Sequence, residues 1–330
     1  MIKVNSNRHT WMEPIHLKGG IVLPHRLMPG PMMGLMSPLF CRTIDELNLA
    51  DYWITPFIGL STASPRLSIF KKKLKYYIDS KKPFIVQFLG NNPDILADAC
   101  KQLSQLNIAG INLNFACPSS TVLSSNSGSK LLTQPDHMLK IIDKIRKQCP
   151  EISISLKLRI GLSSASEIEK FIPKLCNSDI DFIMLHYRTA MEMYKPVDNG
   201  PERIAKAVEL AGSIPIIASG DIFSLESAKE MYINSNCHGI TVARGLLKDP
   251  FLIRKIEAKL LNKGIVLKSD PKTVFSQELS RVAYEFPSLY NRSNFLGLIR
   301  SIWSTEHEHF NNIMTLPKEE ILSYFAELHN

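Results

Sequence analysis

The residues Asn114-Phe115-Ala116-Cys117-Pro118-Ser119 place a single thiol just beyond an apolar run, Ile108 to Leu113, that reads as a buried strand. Pro118 fixes its own φ and biases Cys117 toward extended backbone. A thiol held at a strand end can serve as a proton donor or as a nucleophile. The plainer alternative is a cysteine that only fills space. A second reactive position is Lys157, in Ser155-Leu156-Lys157-Leu158-Arg159, whose alternation turns the lysine to the inside of a strand. An inward ammonium is costly unless it meets an anion or an electron-rich ring such as a reduced flavin. Gln87 and His186 could bond the carbonyl edges of the same ring. Gly220 and Gly245, the latter beside Arg244, suit a phosphate: glycine lets the backbone approach and arginine pairs with the oxygens.

These residues need elements that bring them together. Short apolar runs are expected as strands at Arg26–Pro31, Tyr52–Phe57, Phe84–Leu89, Gly110–Asn114, Ile152–Leu158, Phe182–His186, Ile214–Ala218 and Gly239–Ala243. Amphipathic segments fall between them: Asp94–Leu106, Pro135–Gln148, Ser166–Cys176, Pro201–Ala211 and Ser224–Asn234. Eight apolar strands alternating with helices indicate an α/β fold, a (β/α)8 TIM barrel. Such barrels carry their chemistry at the C-terminal strand ends, where the residues above fall. Ile15–Leu27, with Gly19-Gly20 as its turn, is expected to form a hairpin across the barrel floor. After about residue 250 the strand pattern gives way to helical spacing, as in Asn294–Thr305 and Pro317–Leu328. The division expected is a catalytic barrel over 1–250 and a small all-α helical domain over 251–330.

The chain has 330 residues, 45% of them hydrophobic, with a formal charge of +8. A basic balance favours a polyanionic partner. Lys71-Lys72-Lys73, Lys75, Lys81 and Lys82 crowd into one stretch that could reach phosphates. The six cysteines lie far apart with no CxxC pair, so neither a zinc knuckle nor a redox dithiol is indicated, and no metal is expected. No apolar run has the length of a membrane span, and the N-terminus lacks a signal-peptide core. A cytoplasmic protein with no membrane partner is expected.

Taken in order, Gly110-Ile111-Asn112-Leu113-Asn114-Phe115-Ala116-Cys117-Pro118-Ser119, then Gly128 and Leu131-Leu132, resemble the tRNA-dihydrouridine synthases. So do Lys157-Leu158-Arg159-Ile160-Gly161, His186-Tyr187-Arg188-Thr189, Ile217-Ala218-Ser219-Gly220-Asp221 and Ala243-Arg244-Gly245. The resemblance covers roughly residues 24–255, and the tail fits the family's compact helical domain. It implies an enzyme that binds FMN, takes hydride from NADPH and reduces a uridine of transfer RNA to 5,6-dihydrouridine. By position, Cys117 would protonate C5 while hydride arrives at C6. Pro31, Met33, Gln87, Lys157, His186, Ser219, Gly220, Asp221, Ala243 and Arg244 would bind FMN. Asn114, Arg159 and Arg188 would face the substrate, and the protein would act as a monomer.

Several positions depart from the family pattern. Gly30-Pro31-Met32 stands where Ala-Pro-Met is usual, Ser37 lies where an acid is expected, and Tyr187 is bulky where Gly or Ala is usual. From Phe251 to Asn330 there are ten Lys and Arg against nine Asp and Glu, so the tail is nearly neutral. Three rival readings are weighed: an FMN barrel reducing a small molecule, a dihydrouridine synthase acting on ribosomal RNA, and an RNA-binding protein that keeps only the scaffold.

Overall fold

A computed structural model of the chain describes residues 10–264, 270–317 and 320–326. A two-stranded hairpin comes first, β1 (Ile15–His16) and β2 (Val22–Leu23), paired antiparallel. Its turn is made by Gly19 and Gly20 at φ 89° and 88°, values that favour glycine. Ile15, Leu17 and Leu23 pack with Met28, Tyr52 and Phe182 in one apolar cluster, so the hairpin plugs the floor as expected.

The barrel strands follow: β3 (Leu27–Pro29), β4 (Trp53–Ile54), β5 (Ile58–Gly59), β6 (Phe84–Leu89), β7 (Gly110–Phe115), β8 (Ile154–Arg159), β9 (Phe182–His186), β10 (Ile216–Ser219) and β11 (Gly239–Val242). All run parallel in the order β3-β11-β10-β9-β8-β7-β6-β4, with β5 also on β6. The ring is nearly closed. At the seam, Tyr52 Oη donates to the carbonyls of His25 (3.0 Å) and Leu27 (3.2 Å), tying the end strands together.

One expected strand, Tyr52–Phe57, is two short pieces on the same partner. Pro56 lies between them and has no N–H for the ladder. Thr55 turns the interruption to use: its Oγ1 accepts the backbone N–H of Gln87 at 3.1 Å. The first strand is likewise shorter than expected: Gly30 N–H makes the last ladder bond, to the Val242 carbonyl at 2.7 Å, and Pro31 has no N–H to continue it.

Helices wrap the barrel where the periodicity predicts them, including Pro93–Leu103, Pro135–Gln148, Ile168–Cys176, Gly200–Ala211 and Leu225–Ser235. Ser37 has a structural duty. Its Oγ accepts Phe40 N–H (3.3 Å) and caps Pro38–Glu46. Beyond the barrel the described tail is helical: Leu252–Leu260, Pro271–Glu285, Arg292–Trp303, Glu308–Thr315 and Ile321–Ala326. Part of the expected helix Pro317–Leu328 lies outside the described residues. The tail meets the barrel through Phe275, whose ring is 5.8 Å from that of Phe40 on the capped helix. Among the described residues no helix is long and apolar enough to cross a membrane.

The lysine run divides. Lys75 pairs with Asp79, and Lys82 is held by Asp45 (2.8 Å) and the Ala50 carbonyl (2.6 Å). Lys71, Lys72 and Lys73 end the helix Leu67–Lys73 as exposed cations, with no ion pair among the described residues.

Candidate active site

A cavity of about 330 Å³ opens at the C-terminal ends of the strands. Pro31, Met33, Gln87, Asn114, Cys117, Lys157, Arg159, His186, Ser219, Gly220, Asp221, Ala243 and Arg244 all line it. Register explains the convergence. Asn114 is opposite Lys157, Arg159 is opposite His186, and His186 is opposite Ser219, so these side chains fall on the inner face of neighbouring strands.

Cys117 is half-buried and its peptide is held from both sides. Its N–H is accepted by Asn114 Oδ1 (3.1 Å), and its carbonyl accepts Ser129 N–H (3.1 Å) and Ser129 Oγ–H (3.0 Å). Gly128 makes the second contact possible: a Cβ there would lie 2.7 Å from the Cys117 carbonyl oxygen, and its φ is 58°. The thiol itself lies 3.7 Å from Ser119 Oγ.

Around this thiol the cavity offers hydrogen-bond donors that the protein does not use. Lys157 Nζ has no hydrogen-bond partner among the described residues. Burial, and then the Arg159 cation, pull its pKa down to about 8. His186 Nδ1 accepts the Arg188 backbone N–H at 3.1 Å, which leaves the proton on Nε2. Burial and the cations Arg159 and Lys157 push its pKa well below the usual histidine value, so the ring is neutral. Gln87 and Asn114 each spend one amide N–H on a neighbouring amide, at 2.8 Å, and keep one. Thr241 Oγ1, also on the cavity wall and in a side chain only 2% exposed, has no hydrogen-bond partner among the described residues. A buried hydroxyl on a cavity wall is available to a ligand or a water. Unspent donors, a cation and an orphan hydroxyl facing one cavity suit an acceptor-rich, anionic, planar ligand, and a flavin meets that description.

Two of the assigned residues are placed differently from the rest. Arg188 does not line the cavity. It is buried at 2% exposure, with Nε on the Lys195 carbonyl (2.6 Å), Nη2 on Asp221 (2.5 Å) and its guanidinium 4.9 Å from the Tyr187 ring centroid. It lies behind the wall that Asp221 helps to form. Asp221 does line the cavity, yet its carboxylate is taken by Arg188 and by Arg244 (2.7 Å), which hold its pKa below the usual value against the opposing effect of burial. It holds Arg244, whose guanidinium also lies 4.8 Å from the Tyr194 ring centroid and 5.3 Å from that of Phe223.

The departures at Gly30 and Tyr187 have steric reasons. A Cβ on Gly30 would meet the Ala243 Cβ at 2.7 Å, so glycine allows the close approach of the first and last rims. The Tyr187 ring fills space left by two glycines, Gly200 and Gly220.

Several lining residues were not singled out in the sequence. Tyr194 sits on an irregular turn, Thr189–Lys195, held by Thr189 N–H on Glu192 (2.7 Å) and Arg203 on the same carboxylate (2.8 Å). Thr241 and Phe223 are the others of note. Thr241 was legible in principle, as an inward polar residue on the last strand.

The family model described as "Dihydrouridine synthase (Dus)" matches residues 28–312. A protein of Haemophilus influenzae named tRNA-dihydrouridine(16) synthase is 27% identical, covering 81% of this chain and 84% of its own. One of Aquipseudomonas alcaligenes with the same name is 30% identical over 69% of this chain and 74% of its own. Among solved structures, the old yellow enzyme homologue from Zymomonas mobilis superposes with a TM-score of 0.54 at 11% identity, covering 80% of this chain and 96% of that one. A 2-naphthoyl-CoA reductase gives 0.56 at 10% identity, covering 82% of this chain and 58% of that one. At such identities the structural likeness speaks for the barrel fold alone.

Proposed function

The chain belongs to the dihydrouridine synthase family, and from that premise we propose that it reduces a uridine of transfer RNA to 5,6-dihydrouridine, with a flavin bound in the mouth cavity. The observation that carries the reading is the pinned thiol of Cys117 sharing one cavity with the unspent donors of Lys157, His186, Gln87 and Asn114.

In this reading Gln87, Lys157 and His186 bind the flavin ring, with Pro31 and Met33 packed beside it. Ser219, Gly220, Ala243 and Arg244 take the ribityl and phosphate groups of FMN, and Asp221 holds Arg244 in place. When bound, the flavin supplies the hydride that uridine accepts at C6, and NADPH replenishes it. Asn114 and Arg159 orient the uracil ring. Cys117 gives its proton to C5, so the C5–C6 double bond gains one hydride and one proton. Lys157 and Arg159 line the same cavity and supply the positive charge on that side of the site. Solvent returns the proton on the side of exposed Ser119.

The target base has to leave the RNA stack to enter a cavity of this depth. The exposed lysines of Leu67–Lys73 are then candidates for phosphate contacts, and the tail from about residue 251 completes the RNA surface. A cytoplasmic monomer completes the proposal. The position to test first is 16, which the named relatives carry in their names. Dihydrouridine is mapped in total RNA from cells with and without the gene. Loss at one transfer-RNA position supports the proposal. Loss in ribosomal RNA alone moves the target, and an unchanged map sends the search to small substrates.

A further inference from the structure

We propose that Asn112, which lies below the cavity and does not line it, is the positioning residue that orients the amides of Gln87 and Asn114 and, through them, the Cys117 loop. The inference rests on the reading of Cys117 as proton donor.

The argument begins with two backbone groups that can only donate. Ala116 and Cys117 N–H point at one atom of Asn114, at 3.0 and 3.1 Å, so that atom is Oδ1. Asn114 Nδ2 therefore faces Gln87, and the atom it meets at 2.8 Å is Oε1. Gln87 Nε2 then faces Asn112, whose oxygen accepts at 2.8 Å. Asn112 Nδ2 donates to Ser155 Oγ at 2.9 Å, and Ser155 passes its own proton to the Ile111 carbonyl at 3.1 Å. Both ends of the relay are backbone groups with one possible role, so the orientation of every amide between them is determined.

Register puts the relay in place. Gln87 is opposite Asn112, and Asn112 is opposite Ser155, so the three stand side by side across β6, β7 and β8. Asn112 and Ser155 are fully buried and Gln87 is 1% exposed. In such surroundings an unpaired amide is costly. Without Asn112 Oδ1, the Gln87 amide loses the acceptor that sets its orientation. If it turns over, its Nε2 meets Asn114 Nδ2, donor against donor. Asn114 then rotates and releases the Cys117 N–H. A defect two residues below the cavity thus arrives at the thiol.

The test compares Asn112→Leu, similar in volume but without hydrogen bonds, with Asn112→Asp. A buried aspartic acid takes up a proton and then presents C=O to Gln87 and O–H to Ser155, as asparagine does. The first readout is the rate of Cys117 alkylation by iodoacetamide at fixed pH in flavin-free protein, read by peptide mass spectrometry. The second is the split of kcat and KM. Asn112→Leu is expected to raise the alkylation rate about tenfold and to lower kcat about tenfold with KM within about twofold. Asn112→Asp is expected to return the alkylation rate toward the original. Unchanged alkylation and kcat in Asn112→Leu, or an Asn112→Asp no better than Asn112→Leu, overturns the proposal. Should Asn112→Leu fail to fold, Ser155→Ala decides: a shift in the same direction supports the relay, and unchanged values refute it. A native protein that forms no dihydrouridine sinks the functional reading instead, and the alkylation comparison stays readable without it.

Discussion

The ring of Tyr187 occupies the space a side chain at Gly220 would need: a Cβ there would lie 2.4 Å from Tyr187 Cε1. Gly220 also has a φ of 131°, which side-chain-bearing residues rarely adopt. Gly220→Ala is therefore expected to destabilise the protein by about 2–4 kcal/mol. Adding Tyr187→Ala should recover the steric part and leave the backbone part. Urea unfolding of the two single variants and the double variant measures both; additive losses would show that ring and glycine do not compete for space.

Cys117 is only half-buried, and its peptide contacts run through backbone atoms that a substitution leaves intact. Cys117→Ala should keep the fold and flavin binding, and lose about 10²–10⁴-fold in dihydrouridine formation. Retention of most activity would remove the thiol from the proton-donor role.

Lys157 has its pKa lowered to about 8 from 10.5. Between those values the unfolded chain binds the proton and the folded protein does not, so stability rises with pH across that window. Below about 8 both states carry the charge and its desolvation cost is present in full. Lys157→Met should be more stable than the native protein at pH 7, by about 1–3 kcal/mol, with the difference shrinking toward pH 10.5. Denaturant unfolding at several pH values, without flavin, follows this. The same variant should bind FMN more weakly.

Asp221 neutralises Arg188, which is buried at 2% exposure. Asp221→Asn leaves that guanidinium short of a counter-charge and should cost about 2–4 kcal/mol. The sign of the pH effect is opposite to that of Lys157. The folded-state pKa is depressed, so this contribution is present above the ordinary carboxylate pKa of 3.8 and lost as pH falls below it. Acid titration of thermal stability should show a shallower fall in the variant than in the native protein.

Lys71, Lys72 and Lys73 stand as an exposed basic triplet. If they meet RNA phosphates, replacing all three with Gln should reduce the slope of log affinity against log salt by up to about 3. A slope equal to that of the native protein would place the RNA elsewhere.

The barrel was legible because strands buried on both faces are written as apolar runs, and the intervening helices as 3.6-residue periods. The reactive residues were legible because they stand at the ends of those runs: Cys117 after β7, His186 closing β9, Arg244 after β11. Their order along the chain carried the family resemblance as well. Local pattern did not show that Pro56 splits a strand and hands Thr55 to Gln87, because the repair comes from a neighbouring strand.

What the sequence determined by itself, then, was the element order, the strand-end positions and the types of group they carry. Tertiary structure alone decided how those groups are spent. Arg188 and Arg244 look alike in sequence, yet one is buried behind the wall and the other lies at the cavity, and Asp221 binds both. Tyr194 reaches the site from a turn with no periodicity to announce it. Asn112 and Asn114, two residues apart on one strand face, differ in depth and in neighbours: Asn114 lines the cavity opposite Lys157, and Asn112 lies below it between Gln87 and Ser155. Hydrogen bonds and charge pairs act over about 3–4 Å in space, whatever the separation along the chain. Composition and period therefore specify the frame, and the closed barrel chooses the partners.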